Sequence, residues 1–315
     1  MTLDQLRVFV AVAERQHVTR AAEALGLAQS AVSHAVAALE RAHGARLFHR
    51  VGRGVVLSEA GAVLLGEARA ILARVAAAEA ALAEFGALGR GRLAIHASQT
   101  IAGYWLPRHL VAFRRAHPRV EVCLAVGNTA QVAEAVRAGD AELGFVEGAV
   151  EDDALDAAVV TRDQMLLVVG AQHPWAGRAR VEPGELAGTE WVLREAGSGT
   201  RSVFEAALAG FGVAPGSLPV ALVLPSNEAV RAAVEAGLGA TVISASVAAP
   251  SLEAGLLAQA GLALPDRAFV VLRHRERHLG HAARAMLGIV GGKAGSKVEA
   301  LPQTPPKAAP LERAT

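Results

Sequence analysis

The sequence has one cysteine, Cys123, one tyrosine, Tyr104, and only 4% aromatic residues among 315. A single cysteine excludes a disulfide within the chain. The apolar run "VEVCLAV" around it reads as a strand that carries the thiol as a small hydrophobe. Lysine is missing until Lys293, and Lys297 and Lys307 complete the set. The cations of the folded part are therefore arginines, with histidines that can join them, so arginine abundance alone says nothing about phosphate. No apolar run reaches the roughly 18 residues that a membrane helix needs. The opening "MTLDQLRVFVAVAERQ" places Asp4 and Arg7 where a secretory signal peptide needs an uninterrupted apolar stretch. A soluble, cytoplasmic protein with no membrane partner is expected. No Ser-His-Asp, paired-carboxylate or cysteine arrangement has catalytic spacing. His278 and His281 stand one helical turn apart without an evident third ligand. No catalytic residue, metal or cofactor is therefore expected.

What is present is apolar and segregated. A hydrophobic fraction of 52% provides for a sizeable core, and 315 residues favour two or three units over one. The net charge is only +1, yet residues 1–57 hold seven arginines against Asp4, Glu14, Glu23 and Glu40.

The first 57 residues read as short helices followed by a hairpin. Leu6, Phe9, Val10 and Ala13 make a helical stripe. Thr19 is placed to cap a short second helix through "RAAEALG", and Gly26 is its turn residue. A third helix, "LAQSAVSHAVAALE", is apolar at Val32, Val36 and Leu39. It is polar at Gln29, Ser30, Ser33 and His34. Two helices joined by a Gly-containing turn form the helix-turn-helix outline. "RLFHRVGRGVVLSEAG" then reads as a hairpin, a wing with Arg50 and Arg53 at its tip.

From Ser58, a cap in front of Glu59, a long alanine-rich helix runs to about Leu88. Leu64, Ala68, Ile71, Val75, Ala78, Leu82 and Phe85 repeat as a heptad seam, and a partner helix from a second copy is the simplest cover for it. "GALGRGR" follows as a linker. Beyond it strands alternate with helices, which predicts two open, mostly parallel sheets with helices on both faces. The last stretch is rich in Pro, Gly and Lys, and disorder is expected over 291–315.

The motifs "LRVFVAVAE", "TRAAEALGLAQSAVSHAVAALE", "GARLFHR" and "LSEAG" closely resemble the winged helix-turn-helix of LysR-type transcriptional regulators. The remainder resembles that family's effector domain, whose fold is that of type 2 periplasmic binding proteins. "SQTIAGYWLP", "REAGSGTR" and "LPSNEAV" resemble the branch that holds regulators of sulfur assimilation and carbon fixation. The resemblance implies an α/β chain in four parts: a winged helix-turn-helix over 1–58, a linker and dimerisation helix over 59–88, a two-lobed effector domain over 91–290, and the tail. Lobe I takes about 91–161 and 267–290, and lobe II about 162–266.

The resemblance also implies roles. The third helix becomes a recognition helix, whose N-terminal side chains meet base edges in the major groove of double-stranded DNA. Gln29 suits adenine, and Ser30 and Ser33 suit bases or phosphate. Thr19, at a helix start, suits phosphate. Arg50 and Arg53 suit a flanking minor groove or phosphate. His34 departs from the arginine that many family members carry. It gives up the bidentate fork and should make DNA affinity rise on acidification.

In open α/β sheets ligands bind beyond the carboxyl ends of strands. Ser98, Gln99, Thr100, Thr129 and Glu147 stand at such ends in lobe I, and Ser198, Thr200 and Asn227 in lobe II. Helix starts with hydroxyls beside them suit a small anionic effector, with Arg194 or Arg201 as its charge complement. Glu147 would repel a dianion unless it pairs with an arginine or receives a donor from the ligand. The expected function is a ligand-responsive DNA-binding regulator, a homodimer or homotetramer, that engages RNA polymerase. A solute-binding protein, or an α/β enzyme with an accessory DNA-binding domain, is the alternative.

Overall fold

The computed structural model describes residues 1–52, 54–85 and 91–291, and the chain forms two compact units, one built on Met1–Gly91 and one on Arg92–Val136 with Glu142 onward. The expected tail, the wing residue Arg53 and residues 86–90 of the linker lie outside the described residues.

The first unit comprises α1 (Leu3–Arg15), α2 (Val18–Leu25), α3 (Gln29–His43), β1 (Phe48–Val51), β2 (Gly54–Leu57) and α4 (Glu59–Phe85). Thr2 and Gln5 form a capping box at the start of α1, each side chain accepting from the other's backbone N–H. Gly26 and Gly44 end α2 and α3 in the left-handed conformation, at φ of +65° and +63°, where a side chain is strained. The apolar stripes meet in two clusters that share Phe48, with Phe9, Val12, Val32 and Leu39 at most 1% exposed. Burial of a side chain of that size stabilises by about 1.5–3 kcal/mol. Glu40 of α3 accepts from the backbone N–H groups of Leu47 and Phe48, which ties the helix to the wing. β1 and β2 pair antiparallel from Phe48↔Leu57 to Val51↔Gly54.

Two expectations need correction here. Thr19 is not the cap of α2: His17 holds that position in extended conformation, and Thr19 lies within the first turn. The heptad seam is also not wholly available to a partner. Ala68 is fully buried in the cluster of Leu6, Phe9 and Leu39, and Leu64 and Ile71 pack against it. The beginning of α4 thus covers its own unit. Ala78 is exposed, and the side chains of Leu82 and Phe85 lie outside the described residues.

The second unit holds two five-stranded sheets. Lobe I has the order β4-β3-β5-β12-β6, from β3 (Gly91–Ser98), β4 (Val120–Gly127), β5 (Leu143–Glu147), β6 (Leu155–Asp163) and β12 (Arg267–His274). Its helices are α5 (Leu106–Ala116), α6 (Thr129–Ala138) and α10 (His281–Ile289). One π-helical turn, Ile101–Trp105, precedes α5. Lobe II has the order β11-β7-β10-β8-β9, from β7 (Met165–Gly170), β8 (Trp191–Arg194), β9 (Val220–Leu224), β10 (Ala240–Ser244) and β11 (Leu257–Ala260). Its helices are α7 (Gly199–Gly210), α8 (Asn227–Glu235) and α9 (Ala245–Glu253).

Both sheets are mixed rather than mostly parallel. β3 runs parallel to β5, and β8 runs parallel to β9 and β10. β12 is antiparallel to β5 and β6, and β7 is antiparallel to β10 and β11. The antiparallel members include the strands that carry the chain out of lobe I and back. β6 hands over to β7, and β12 returns beside β6 with Arg267 opposite Asp163. Trp105, Trp175 and Trp191 are buried in the two cores, as their apolar surroundings suggest.

Candidate functional site

In the first unit Gln29, Ser30, Ser33 and His34 are all exposed on α3, opposite the buried Val32 and Leu39. The helix begins at Ala28 without a side-chain cap, so its first N–H groups are not taken by a hydroxyl. Arg50 is exposed on β1, and Thr19 is half-buried. The arrangement gives a short-armed polar helix face and a cationic hairpin, the elements from which base and phosphate contacts are made.

In the second unit, polar side chains gather where the carboxyl ends of the two sheets meet. Ser98, Thr100, Glu147, Ser198, Thr200 and Asn227 are each at most 4% exposed. Gln99 and Thr129 are half-buried. Burial of so many polar groups costs free energy unless they are bonded. Gln99, Thr100, Thr200 and Asn227 are, each to the opposite lobe. Gln99 donates to the carbonyl of Pro225 at 2.9 Å and accepts from the N–H of Asn227 at 3.0 Å. Asn227 donates to Thr100 Oγ1 at 3.0 Å. On the other flank Asn128 donates to Glu195 at 3.3 Å, and the N–H of Ala130 donates to the carbonyl of Gly197 at 3.2 Å. Ser98 Oγ is buried without a hydrogen-bond partner.

At the centre is Arg267, which the sequence reading did not single out. Its side chain is fully buried. Nε donates to Asp163 Oδ2 at 2.7 Å, Nη1 to Thr200 Oγ1 at 2.9 Å, and Nη2 to Thr100 Oγ1 at 3.3 Å. Asp163 accepts in turn from Ser244 of lobe II at 2.9 Å. One guanidinium therefore links both lobes to the strands that connect them. Asp163 ends β6, whose sequence "LDAAVVTRD" has no regular apolar alternation to mark a strand. Arg267 was missed because "LPDRAFVVLRH" looks like a charged loop before an apolar strand. The available signal was a charged residue directly before five apolar residues, Ala268 to Leu272, that form a strand.

Arg194 and Arg201, the expected charge complements, are occupied differently. Arg194 is buried, donates through Nε and Nη2 to both oxygens of Glu195 at 2.8 and 2.9 Å, and reaches Asn227 Oδ1 through Nη1. Burial opposes the charge on Glu195, but bonds from Arg194, its own backbone N–H and Asn128 outweigh it and hold the carboxyl below its usual range. Arg201 pairs with Glu205 at 2.7 Å and is only partly buried. Cys123 is half-buried, not enclosed, and accepts from Arg92 Nε at 3.1 Å. Among the described residues no cluster of three or more His, Cys, Asp or Glu is arranged for a metal ion.

A winged helix-turn-helix followed by a two-lobed α/β unit with a polar cleft defines a class: a DNA-binding protein that carries its own small-molecule sensor. The comparisons with known proteins identify the family. Residues 3–62 match the model of the bacterial regulatory helix-turn-helix protein of the lysR family, and residues 86–294 match the LysR substrate binding domain. The chain belongs to the LysR family of transcriptional regulators.

Among its relatives is the HTH-type regulator YeiE of Escherichia coli K12, 34% identical over 292 residues, which are 91% of this chain and 96% of that protein. CysL of Bacillus subtilis is 33% identical over 78% of this chain and 82% of its own length, and CbbR of Rhodospirillum rubrum is 32% identical over 91% and 95%. Of solved structures, the LysR family regulator CbnR shares the fold at a TM-score of 0.68 and 22% identity, covering 94% of this chain and all of that one. The CcmR regulatory domain of Synechocystis PCC6803 in complex with 2-PG matches at a TM-score of 0.59 and 25% identity, covering 64% of this chain and 96% of that one.

Proposed function

We propose that this regulator is controlled by a small anion held between lobes I and II, and that it is not an enzyme. The observation that carries the reading is the buried cluster around Arg267. It places a guanidinium, three hydroxyls and the start of α7 at the carboxyl ends of both sheets, where anions are favoured. The bound 2-PG of the CcmR regulatory domain is consistent with an anion in this type of domain. Because these groups now bond one another across the cleft, an entering ligand replaces cross-lobe bonds and shifts the balance between two lobe arrangements. The shift equals its differential affinity for them.

The DNA-reading set is Gln29, Ser30, Ser33 and His34 of α3, with Thr19, Arg50 and Arg53 on backbone and flanking groove. Operator DNA in the cytoplasm and RNA polymerase are the partners. A homodimer or homotetramer is supported by apolar residues left exposed on edge strands, among them Val126 of β4 and Val223 of β9 at 55% and 50% exposure.

The test uses full-length protein and duplexes selected from a random pool. Retardation is measured with and without inorganic phosphate, sulfate or 2-PG. Thr100→Ala should retain the retardation of wild type and lose the anion response. Loss of DNA binding in step with loss of response would make Thr100 a structural residue and remove the reading.

A further inference from the structure

One buried charge in the cleft has no adequate partner. Glu147 ends β5 and is 3% exposed. Its Oε2 lies 3.5 Å from Thr129 Oγ1, and its Oε1 lies 4.0 Å from Arg267 Nη2. Neither is a short hydrogen bond. Arg267 gives its close contacts to Asp163 and Thr200, at 2.7 and 2.9 Å, so two carboxylates share one guanidinium and Glu147 is the poorly served member. Burial of an anion without a donor is costly, which makes Glu147 the strongest unfilled acceptor in the cluster.

Its neighbours define what could fill it. Ser98 is on β3, the parallel neighbour of β5, and its unpartnered buried hydroxyl can donate or accept. The start of α7 lies against Glu147: a Cβ on Gly199 would come within 2.7 Å of the Glu147 carbonyl oxygen. That helix end supplies positive potential for an anion. An oxyanion with no proton would set one of its oxygens against the Glu147 carboxylate with nothing between them, and like charges repel. An oxyanion that keeps an acid O–H has no such conflict. It donates that O–H to Glu147, while its remaining oxygens accept from Ser98, Thr100 and Arg267.

We infer that Glu147 selects for an effector of the hydrogen-phosphate type, an oxyanion that retains an acid proton at neutral pH, over fully deprotonated oxyanions. The inference rests on the cleft reading above. It deepens that reading by naming the protonation class of the ligand and the residue that discriminates.

Thermal shifts of the full-length protein are measured with inorganic phosphate, arsenate, sulfate and selenate at matched ionic strength and neutral pH. Phosphate and arsenate keep a proton under these conditions, and sulfate and selenate do not. The expected result is stabilisation by the first pair at concentrations at least about tenfold lower than by the second, the scale of one hydrogen bond to a charged group. Glu147→Gln presents an N–H in place of an acceptor and should narrow or reverse the preference. Thr100→Ala should lose the phosphate shift. Sulfate or selenate binding as well as phosphate in wild type overturns the inference and leaves the cleft reading standing. A phosphate shift untouched by Thr100→Ala puts the anion elsewhere and overturns the inference. No shift with any of the four removes both the inference and the small-oxyanion form of the reading. If Glu147→Gln does not fold, the four-anion pattern in wild type still decides.

Discussion

Arg267 Nη2 and Asp163 Oδ2 lie 2.7 Å apart, both side chains buried, as direct register partners on the two strands that join the lobes. Their separation in sequence is 104 residues, so the pair closes the whole of lobe II as a loop. Removal of one member strands the other as a buried charge. Asp163→Asn and Arg267→Met should each lower stability in urea by about 3–5 kcal/mol, whereas the double replacement should lose less than the sum of the two. Additive losses would mean that the two groups do not act as a pair.

Gly199 is a point of close approach between the lobes. A Cβ there would sit 2.6 Å from Thr129 Oγ1 and 2.7 Å from the backbone oxygen of Glu147, so the strands must move. Gly199→Ala should destabilise by about 1–3 kcal/mol despite the better helix propensity of alanine. Gly210, at the other end of the same helix, has open space around its Cβ position. Gly210→Ala should be neutral or stabilising, and equal urea midpoints for the two variants would refute the close approach.

Tyr104 is the only tyrosine in the chain, so its phenolate absorbance can be titrated without overlap from another. Burial and then the nearby Glu228 carboxylate raise its pKa above the usual tyrosine value, with the phenol 3.5 Å from Glu228 Oε1 across the lobes. A raised folded-state pKa favours the protonated phenol in the native protein. Its contribution is therefore complete below the unfolded pKa of about 10 and is lost as pH climbs through the folded value. Glu228→Gln should bring the absorbance titration back toward the usual value. A curve identical to wild type would remove Glu228 as a cause.

α4 provides a test of what its seam covers. Ala68 is fully buried among Leu6, Phe9 and Leu39, and Ala68→Leu should overpack that cluster at a cost of about 1–3 kcal/mol. Gly66, two residues earlier, is exposed with nothing near its Cβ position. Gly66→Ala should stabilise the helix by roughly 0.5–1 kcal/mol. Thermal melts of the two variants moving in the same direction would contradict this division of the helix into a buried and an open side.

Sequence by itself determined what depends on local order. Helical spacing of Val32 and Leu39 identified α3 and left Gln29, Ser30, Ser33 and His34 on its open face. The alternation of apolar runs with helices pointed to the α/β unit, and short polar side chains after strands marked Ser98, Thr100, Thr200 and Asn227 for the cleft between the lobes. Those signals survive in one dimension because hydrogen bonding and periodicity act over a few residues.

Only the tertiary structure decided which helix faces and charges are matched to what. The start of the α4 seam packs on its own unit because α1 and α3 leave an apolar gap there, and a heptad pattern is the same whether its partner is near or foreign. β6, nine residues long with mostly half-buried positions, and the four-residue β11 show no clear apolar alternation in sequence, and Asp163 ends β6. Arg267 became the centre of the cleft only when β12 was laid beside β6, a pairing across 104 residues that no local spacing encodes. A lone arginine before an apolar run reads as a solvated charge. Its buried role follows from the carboxylate that folding places opposite it.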